Sequence, residues 1–530
     1  MSITSPKRRA SLDELSKKKF DVLIIGGGIT GAGALLEAAS RGYSAALIEA
    51  RDFASGTSSA SSKLIHGGLR YLAQGEIALV YENLAERSRL LSNAPELVSK
   101  LDFVLPIRKT ASPFGPFGAP AYMAALWGYD LTGGFRIGAF HKRMDKSIAK
   151  SMFPRLRSDN FSSAFLYHDA WADDVALTLA AINTARTRYS ATAANYVEAI
   201  SPIFGENNKI KGYRVRDNSP GSKDEGQEFE ISARTIINAS GAWATQIMAQ
   251  LKEKPPFEIR PAKGVHIVFS QKVLPAKVAY VLPVPNDSRT IFLLPWGDYT
   301  YVGTTDTDLG KERVETTMDD VEYLLGAVNY SLDTPLSKSD ITGAWVGVRP
   351  LVSQPKDSKA LSERTKDLSR RHKVVTSPEG MISITGGKLT TYRKMASDAI
   401  DALDTKDGRA TKSISKRIKL RSPAHIDPQS PTPDSARKSL VPGIGWDISR
   451  EDIVALIVET DALTLSDILL RRVRVGILDQ RAAMELSKPV LEILGEILEL
   501  TKVEKDNLSM AFSNDLAREL PPEILDSSKA

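Results

Sequence analysis

An α/β fold is expected, built on a parallel sheet that the chain leaves and re-enters, and three observations predict it. Residues 20–25 (FDVLII) are a short apolar run rich in branched side chains, the pattern of a strand buried on both faces. A glycine cluster follows at once, then a helical stretch over 32–41 and a second apolar run at 45–49 (AALIE), which together read as a βαβ unit. Two more runs of this kind, 235–239 (TIINA) and 381–385 (MISIT), come far downstream.

Between those distant strands lies further strand-like material at 264–269 (GVHIVF), 290–294 (TIFLL) and 299–303 (YTYVG). The nucleotide-binding unit is therefore expected to be discontinuous, with a sheet-containing α+β domain inserted. A Ser/Pro-rich stretch at 421–433 reads as a linker, and 451–517 carries helical periodicity with few strand signals. The expected division is a mobile tail at 1–18, a cofactor-binding domain at 19–90, 166–255 and 341–420, a substrate- and membrane-facing domain at 91–165 and 256–340, the linker, and a small helical C-terminal domain at 434–530.

Composition bounds the function. With 530 residues, 42% hydrophobic and 25% charged, the chain has ample material for a packed core. It has no cysteine, which excludes disulfides, cysteine metal sites and a thiol nucleophile. The balance of 70 basic against 64 acidic residues, a net +6, suits an anionic lipid or substrate as well as it suits plain solubility. Nothing resembles a nucleic-acid motif. The basic N-terminus has no apolar run of the signal-peptide kind, and no stretch of 18 apolar residues suggests a transmembrane helix. The scattered histidines form no metal pattern, and no G-x-S-x-G marks a serine nucleophile.

The glycine cluster fits G-x-G-x-x-G at Gly26, Gly28 and Gly31. The first glycine permits the tight turn, the second lets backbone approach a pyrophosphate, and the third lets helix and strand pack closely. The helix N-terminus then offers amide donors and a partial positive charge to phosphate. Alone the motif is weak, but here a strand precedes it, a helix follows, and Glu49 stands 18 residues past Gly31 at the end of the next strand. A carboxylate there suits a ribose hydroxyl and repels a 2′-phosphate, which argues against NADP. FAD and NAD both remain open at this point. The small-residue run that follows, 51–72 (RDFASGTSSASSKLIHGGLRYL), suits a loop wrapping a pyrophosphate and running on to an isoalloxazine ring; a flexible connector is the plainer alternative.

From these residues onward the chain resembles the FAD-dependent glycerol-3-phosphate dehydrogenases of the respiratory, membrane-associated type. The collinear motifs are SSASSKLIHGGLRYL (58–72), WADDVAL (171–177), INASGAWA (237–244), KGVHIVF (263–269), FLLPWGDYTYVGTTDTD (292–308), GVRPL (347–351) and TGGKLTTYRKMA (385–396). They span most of 20–400; TLSDILLRRVRVGILDQRAA (464–483) is similar to the family's helical cap, and 421–459 matches poorly. The resemblance implies a Rossmann-like FAD-binding domain, FAD held non-covalently, and oxidation of sn-glycerol 3-phosphate to dihydroxyacetone phosphate with electrons passed to a quinone. An oxidase branch of the family uses oxygen and forms hydrogen peroxide; its extra inserted segment is not seen here. A non-catalytic flavin-binding protein is the third reading. The implied location is cytoplasmic, on the inner face of the membrane, and a homodimer is compatible with it.

The implied cofactor contacts are Gly26, Gly28, Gly31, Glu49, Thr57, Ser58, Ser62, Lys63, Leu64, His66, Gly67, Gly68, Val197, Ala239, Gly241, Gly387, Lys388, Leu389 and Thr390. A dianionic phosphate needs fixed cations, and Arg70, Arg349 and Lys388 are the candidates, with Tyr71 and Thr390 as hydroxyl donors. The alcohol needs a proton acceptor. His266, inside an apolar strand, is expected to titrate near neutral pH and serve, and Arg349 can stabilise the developing alkoxide; a satisfied core histidine is the alternative. Residues 113–143 combine Phe, Tyr, Trp and Met with a basic end, as suits a helix lying in a lipid interface with Tyr122, Leu126 and Trp127 on its apolar face; a half-buried packing helix is the alternative.

Overall fold

The computed structural model describes residues 5–526 apart from 74, 109–117, 158, 160, 223, 253–254, 256, 286, 288, 311–312, 354–371 and 427–437. Two sheets organise it. The first runs Lys373–Thr376, Ile382–Thr385, Glu228–Asn238, Lys19–Ile25, Ala45–Ile48, Thr192–Ala194, with a meander of Val197–Phe204 and Ile210–Asp217 on Glu228–Asn238. Its central pairs are parallel, with Ile24 beside Leu47 on one side and Ile237 on the other. This is the expected βαβ core. Its strands come from three stretches of chain, and the helices Ile29–Ser40, Asp174–Tyr189 and Tyr392–Asp407 cover one face.

The second sheet has ten strands among the described residues. Its long members are Val98–Arg108, Phe161–Ala172, Glu258–Ser270 and Ile341–Ser353, and Glu258–Ser270 pairs antiparallel with Ile341–Ser353 over almost its whole length. Ile341–Ser353 therefore belongs to this sheet, not to the cofactor-binding stretch expected to begin at 341. The two-residue strand Leu64–Ile65 pairs with Phe161–Ala172, so the loop after Glu49 crosses from one sheet to the other.

Residues 6–17 are not a mobile tail. They form the helix Pro6–Lys17, capped by Ser5, whose hydroxyl accepts from the Arg8 amide. Arg8 is buried, and its guanidinium donates to the Asn195 carbonyl and pairs with Asp217 at 3.0 Å. The stretch 421–433 is likewise tied down where it is described: Arg421 N donates to Thr184 and Ala424 N to Glu459, while 427–433 lie outside the described residues. Helices Arg450–Thr460, Gln480–Leu498 and Lys502–Glu519 form the expected C-terminal unit. A π-helical turn, Asp467–Arg472, faces back toward the cofactor-binding sheet: Arg471 and Arg472 both pair with the fully buried Asp52.

Candidate functional site

The turn after Lys19–Ile25 is shaped by its glycines. Gly26 has φ +113°, and a Cβ there would lie 2.7 Å from the Ala239 carbonyl oxygen. A side chain on Gly31 would overlap the Gly26 carbonyl, so the helix Ile29–Ser40 can start this close to the strand only with glycine there. Gly28 is that helix's N-cap. Glu49 closes the turn from the next strand: its carboxylate accepts from Gly27 N at 2.7 Å and Arg51 N at 3.0 Å. Burial pushes its carboxyl above the usual range, against the two amides that pull it down.

These groups open onto a cavity of about 560 Å³. Its wall includes Glu49, Arg51, Glu198 and Asn218, the turn and helix start at Gly28 and Ile29 with Thr57 and Ser58, and the second glycine turn at Gly386, Gly387, Lys388 and Leu389. Ala239 and Gly241 are also in the wall. An acid, a glycine turn at a helix N-terminus and a second glycine turn on one cavity fit a dinucleotide. Ser58 adjusts this picture, because its Oγ already accepts from Ile29 N at 2.9 Å and so caps one of the helix amides.

Several expected cofactor contacts stand elsewhere. Lys63 does not line the cavity: its ammonium is buried against Asp174 at 3.0 Å and sits over the indoles of Trp345 and Trp296. Leu64 is in the core with Trp171. Val197 is buried and donates its amide to the Glu49 carbonyl, so it supports the acid from behind. Gly67 is required by packing, since a side chain there would run into Tyr129 and Leu84; its amide donates to Tyr129 Oη at 2.9 Å. Thr390 is buried, and its hydroxyl accepts from His66 N at 3.1 Å, so it braces the His66–Gly68 turn. Gly68, with φ +84°, leads into the helix Leu69–Ala73.

Of the substrate cations, Lys388 is on the cavity wall, with its ammonium 3.8 Å from the centre of the Tyr71 ring. Arg349 is on Ile341–Ser353, one residue before Pro350, which reaches the same wall. Its guanidinium is oriented by Asp306 at 3.0 Å, the Thr305 carbonyl and Thr304 Oγ1. The side chain of Arg70 lies outside the described residues.

His266 is 2% exposed and stacks on Trp345. Its Nε2 is 2.8 Å from Ser62 Oγ, which gives Ser62 a place beside the imidazole that sequence reading had given it beside the cofactor. Nδ1 is buried without a hydrogen-bond partner among the described residues. Burial first, then the charges of Lys63 and Arg349, hold the ring well below the usual histidine range, so His266 does not titrate near neutral pH as expected.

Sequence reasoning missed the groups behind this arrangement. Asp173 and Asp174, inside WADDVAL, are buried: Asp174 pairs with Lys63 and Arg474, and Asp173 with Arg474. Two adjacent acids inside an apolar motif were the available signal. Trp243 also went unread; it lines the cavity with Arg51 5.2 Å above its ring.

Residues 21–393 match the family described as FAD dependent oxidoreductase. A Mycobacterium leprae protein named glycerol-3-phosphate dehydrogenase is 37% identical over 424 residues, which cover 79% of this chain and 69% of that one. The mitochondrial glycerol-3-phosphate dehydrogenase of Mesocricetus auratus is 33% identical over 552 residues, covering 94% and 74%. The solved structure of the Bacillus halodurans glycerol-3-phosphate dehydrogenase complexed with FAD superposes with a TM-score of 0.76 at 25% identity, covering 98% of this chain and 99% of that one. A family match over most of the chain, long relatives of one name and a cavity built for a dinucleotide agree: this chain belongs to the FAD-dependent oxidoreductases, among their glycerol-3-phosphate dehydrogenases.

Proposed function

We propose that this chain oxidises sn-glycerol 3-phosphate to dihydroxyacetone phosphate, with non-covalent FAD as hydride acceptor and a membrane quinone as the next electron carrier. The observation that carries the reading is that the candidate cations Lys388 and Arg349 belong to or adjoin the cavity wall, and that Arg349 acts on His266. Lys388 is in the wall, the Arg349 strand reaches the same wall through Pro350, and His266 is held by Ser62 and Trp345.

Bound FAD supplies a two-electron acceptor for the hydrogen on the alcohol carbon. The chain's own residues do the rest. Lys388 offers its ammonium to the substrate phosphate. Arg349, fixed by Asp306 and Thr304, presents a planar fork to phosphate or to the oxygen on which negative charge develops. The substrate hydroxyl proton passes to His266, whose ring is uncharged and whose Nδ1 has no other described partner.

The quinone and membrane part rests on the 118–141 segment. The helix Gly118–Leu131 buries Leu126 and Tyr129 and turns Trp127 and Leu131 outward, 48% and 70% exposed; Phe135 and Phe140 extend the apolar surface. Leu126 is thus core, not lipid-facing, and 113–117 lie outside the described residues. No helix among the described residues is long and apolar enough to cross a membrane.

The test is anaerobic titration of the purified holoprotein. Glycerol 3-phosphate should bleach the bound flavin and glycerol should not, and acid precipitation should release FAD into the supernatant. Equal bleaching by glycerol would remove the phosphate-site assignment. Stoichiometric hydrogen peroxide in air, with no reduction of added quinone, would replace the quinone by oxygen.

A further inference from the structure

Lys63 is an unusual place for a lysine. It is fully buried, its backbone is left-handed at φ +58°, and its neighbours fix it from every side. Its amide donates to Ser61 Oγ and its carbonyl accepts from Ala172 N. Its ammonium donates to the Ser59 carbonyl at 3.2 Å and to Asp174, and lies 4.9 Å from the Trp345 ring centre and 5.3 Å from that of Trp296. Nothing in the cofactor wall uses this charge.

The same indole carries His266, whose ring is stacked 4.6 Å from that of Trp345, and Trp345 Nε1 donates to the Ser61 carbonyl. Ser62, the residue before Lys63, contacts His266 Nε2, and its carbonyl accepts from Tyr301 Oη at 2.9 Å. Lys63 thus anchors the short loop that supplies two of the ring's neighbours, and it brings a positive charge near the ring.

We propose that Lys63 is a positioning residue for the proton acceptor: it holds the 59–63 loop and Trp345 against the His266 ring, and its charge disfavours protonation of that ring before substrate arrives. The proposal rests on the reading of His266 as acceptor. The groups facing His266 are Ser62 and Lys63 from the loop, Trp345 and Arg349 from Ile341–Ser353, and Tyr301 from Tyr299–Gly303. Among the described residues no carboxylate acts on the ring. Asp174 and Asp173 weaken the field of Lys63, and Arg474, bound to both, restores part of it. Two nearby cations keep the imidazole neutral and so able to take a proton, while making it a weaker base.

The experiment is a pH titration of ¹³C-histidine-labelled holoprotein by NMR, with anaerobic stopped-flow flavin reduction by glycerol 3-phosphate over the same pH range. It compares the parent, Lys63→Met and Lys63→Arg, each checked for FAD content and thermal midpoint. In Lys63→Met the His266 midpoint should rise by about one pH unit, tenfold in proton concentration, and flavin reduction should acquire a matching loss at low pH. Lys63→Arg should restore the parental profile. An unchanged His266 midpoint in FAD-loaded Lys63→Met overturns the proposal. If that variant does not fold, Lys63→Met with Asp174→Asn removes charge and counter-charge together and is read the same way. A His266→Asn variant that reduces its flavin at the parental rate would remove the acceptor role, while the NMR midpoint still decides whether Lys63 governs the ring.

Discussion

The imidazole of His266 lies nearly parallel to the indole of Trp345, with ring centres 4.6 Å apart and planes inclined by 14°. The two residues are paired in register across neighbouring strands, so the stack is built into the sheet. Trp345 does not line the cofactor cavity, which separates its effect on chemistry from any effect on FAD. Trp345→Leu should therefore keep its FAD yet slow flavin reduction by about 10- to 100-fold, the scale of a small misplacement of a reacting group. Stopped-flow reduction and FAD-to-protein absorbance ratios measure the two; a parental rate in a folded variant would make the ring's position irrelevant to the reaction.

Arg349 is aimed by Asp306 and Thr304 in a way that only a planar fork can satisfy at once. Arg349→Lys keeps the charge and loses that geometry. It should cost about 2–4 kcal/mol of transition-state stabilisation, roughly 30- to 1000-fold in kcat/KM for glycerol 3-phosphate. Steady-state kinetics with a soluble dye acceptor would show it. A loss below about threefold would mean that Arg349 is structural.

Lys63 also makes a prediction about stability. Burial first, with Arg474 adding to it, depresses its ammonium from 10.5 to about 8, against the pull of Asp174 and Asp173. A base whose folded value is depressed weakens the fold while both states are protonated. Between about 8 and 10.5 the unfolded chain holds the extra proton, so stability must rise with pH across that window. Urea unfolding at pH 7.5, 8.5 and 9.5 should show the parent gaining on Lys63→Met as pH increases. A gap that narrows in the opposite sense would contradict the assigned direction.

The surface around Gly118–Leu131 should behave as a contact surface and its inner face as core. Replacing Trp127, Leu131 and Phe135 together with serine should lower binding to phosphatidylglycerol-containing vesicles at least tenfold, since each apolar side chain contributes about 1.5–3 kcal/mol when fully buried. Soluble-dye activity should persist. Leu126→Ala should instead cost about 2–5 kcal/mol of stability and leave vesicle binding alone. Vesicle flotation and thermal unfolding distinguish the two, and unchanged flotation of the triple variant would make this surface ordinary packing.

What could be read from the sequence followed sequence distance. The glycine turn, Glu49 and the strands at 20–25, 45–49 and 235–239 carry their meaning in local spacing, and the first sheet bears it out. Partnerships across the chain could not be read in this way. Arg8 looks like one more basic residue in a charged N-terminus until Asn195 and Asp217 are folded against it. Lys63 stands in a run that suits a cofactor loop, and only the fold shows that its ammonium turns to Asp174. Gly67 and Thr390 were attributed to a ligand, and only the fold shows that they also bond to Tyr129 and to the His66 amide. The titration of His266 failed for the same reason, because a lone histidine in an apolar strand does not announce the two cations that face it.

Asp52, next to the cofactor loop, meets its counter-charges among the described residues at Arg471 and Arg472, and Asp174 meets one of its own at Arg474. A buried carboxylate left without its cation is costly, so the loop cannot settle until those residues are present. On the ribosome Arg471 emerges 419 residues after Asp52. A nascent chain stopped short of residue 471 would hold the glycine turn and Glu49 but leave Asp52 buried without its paired cations.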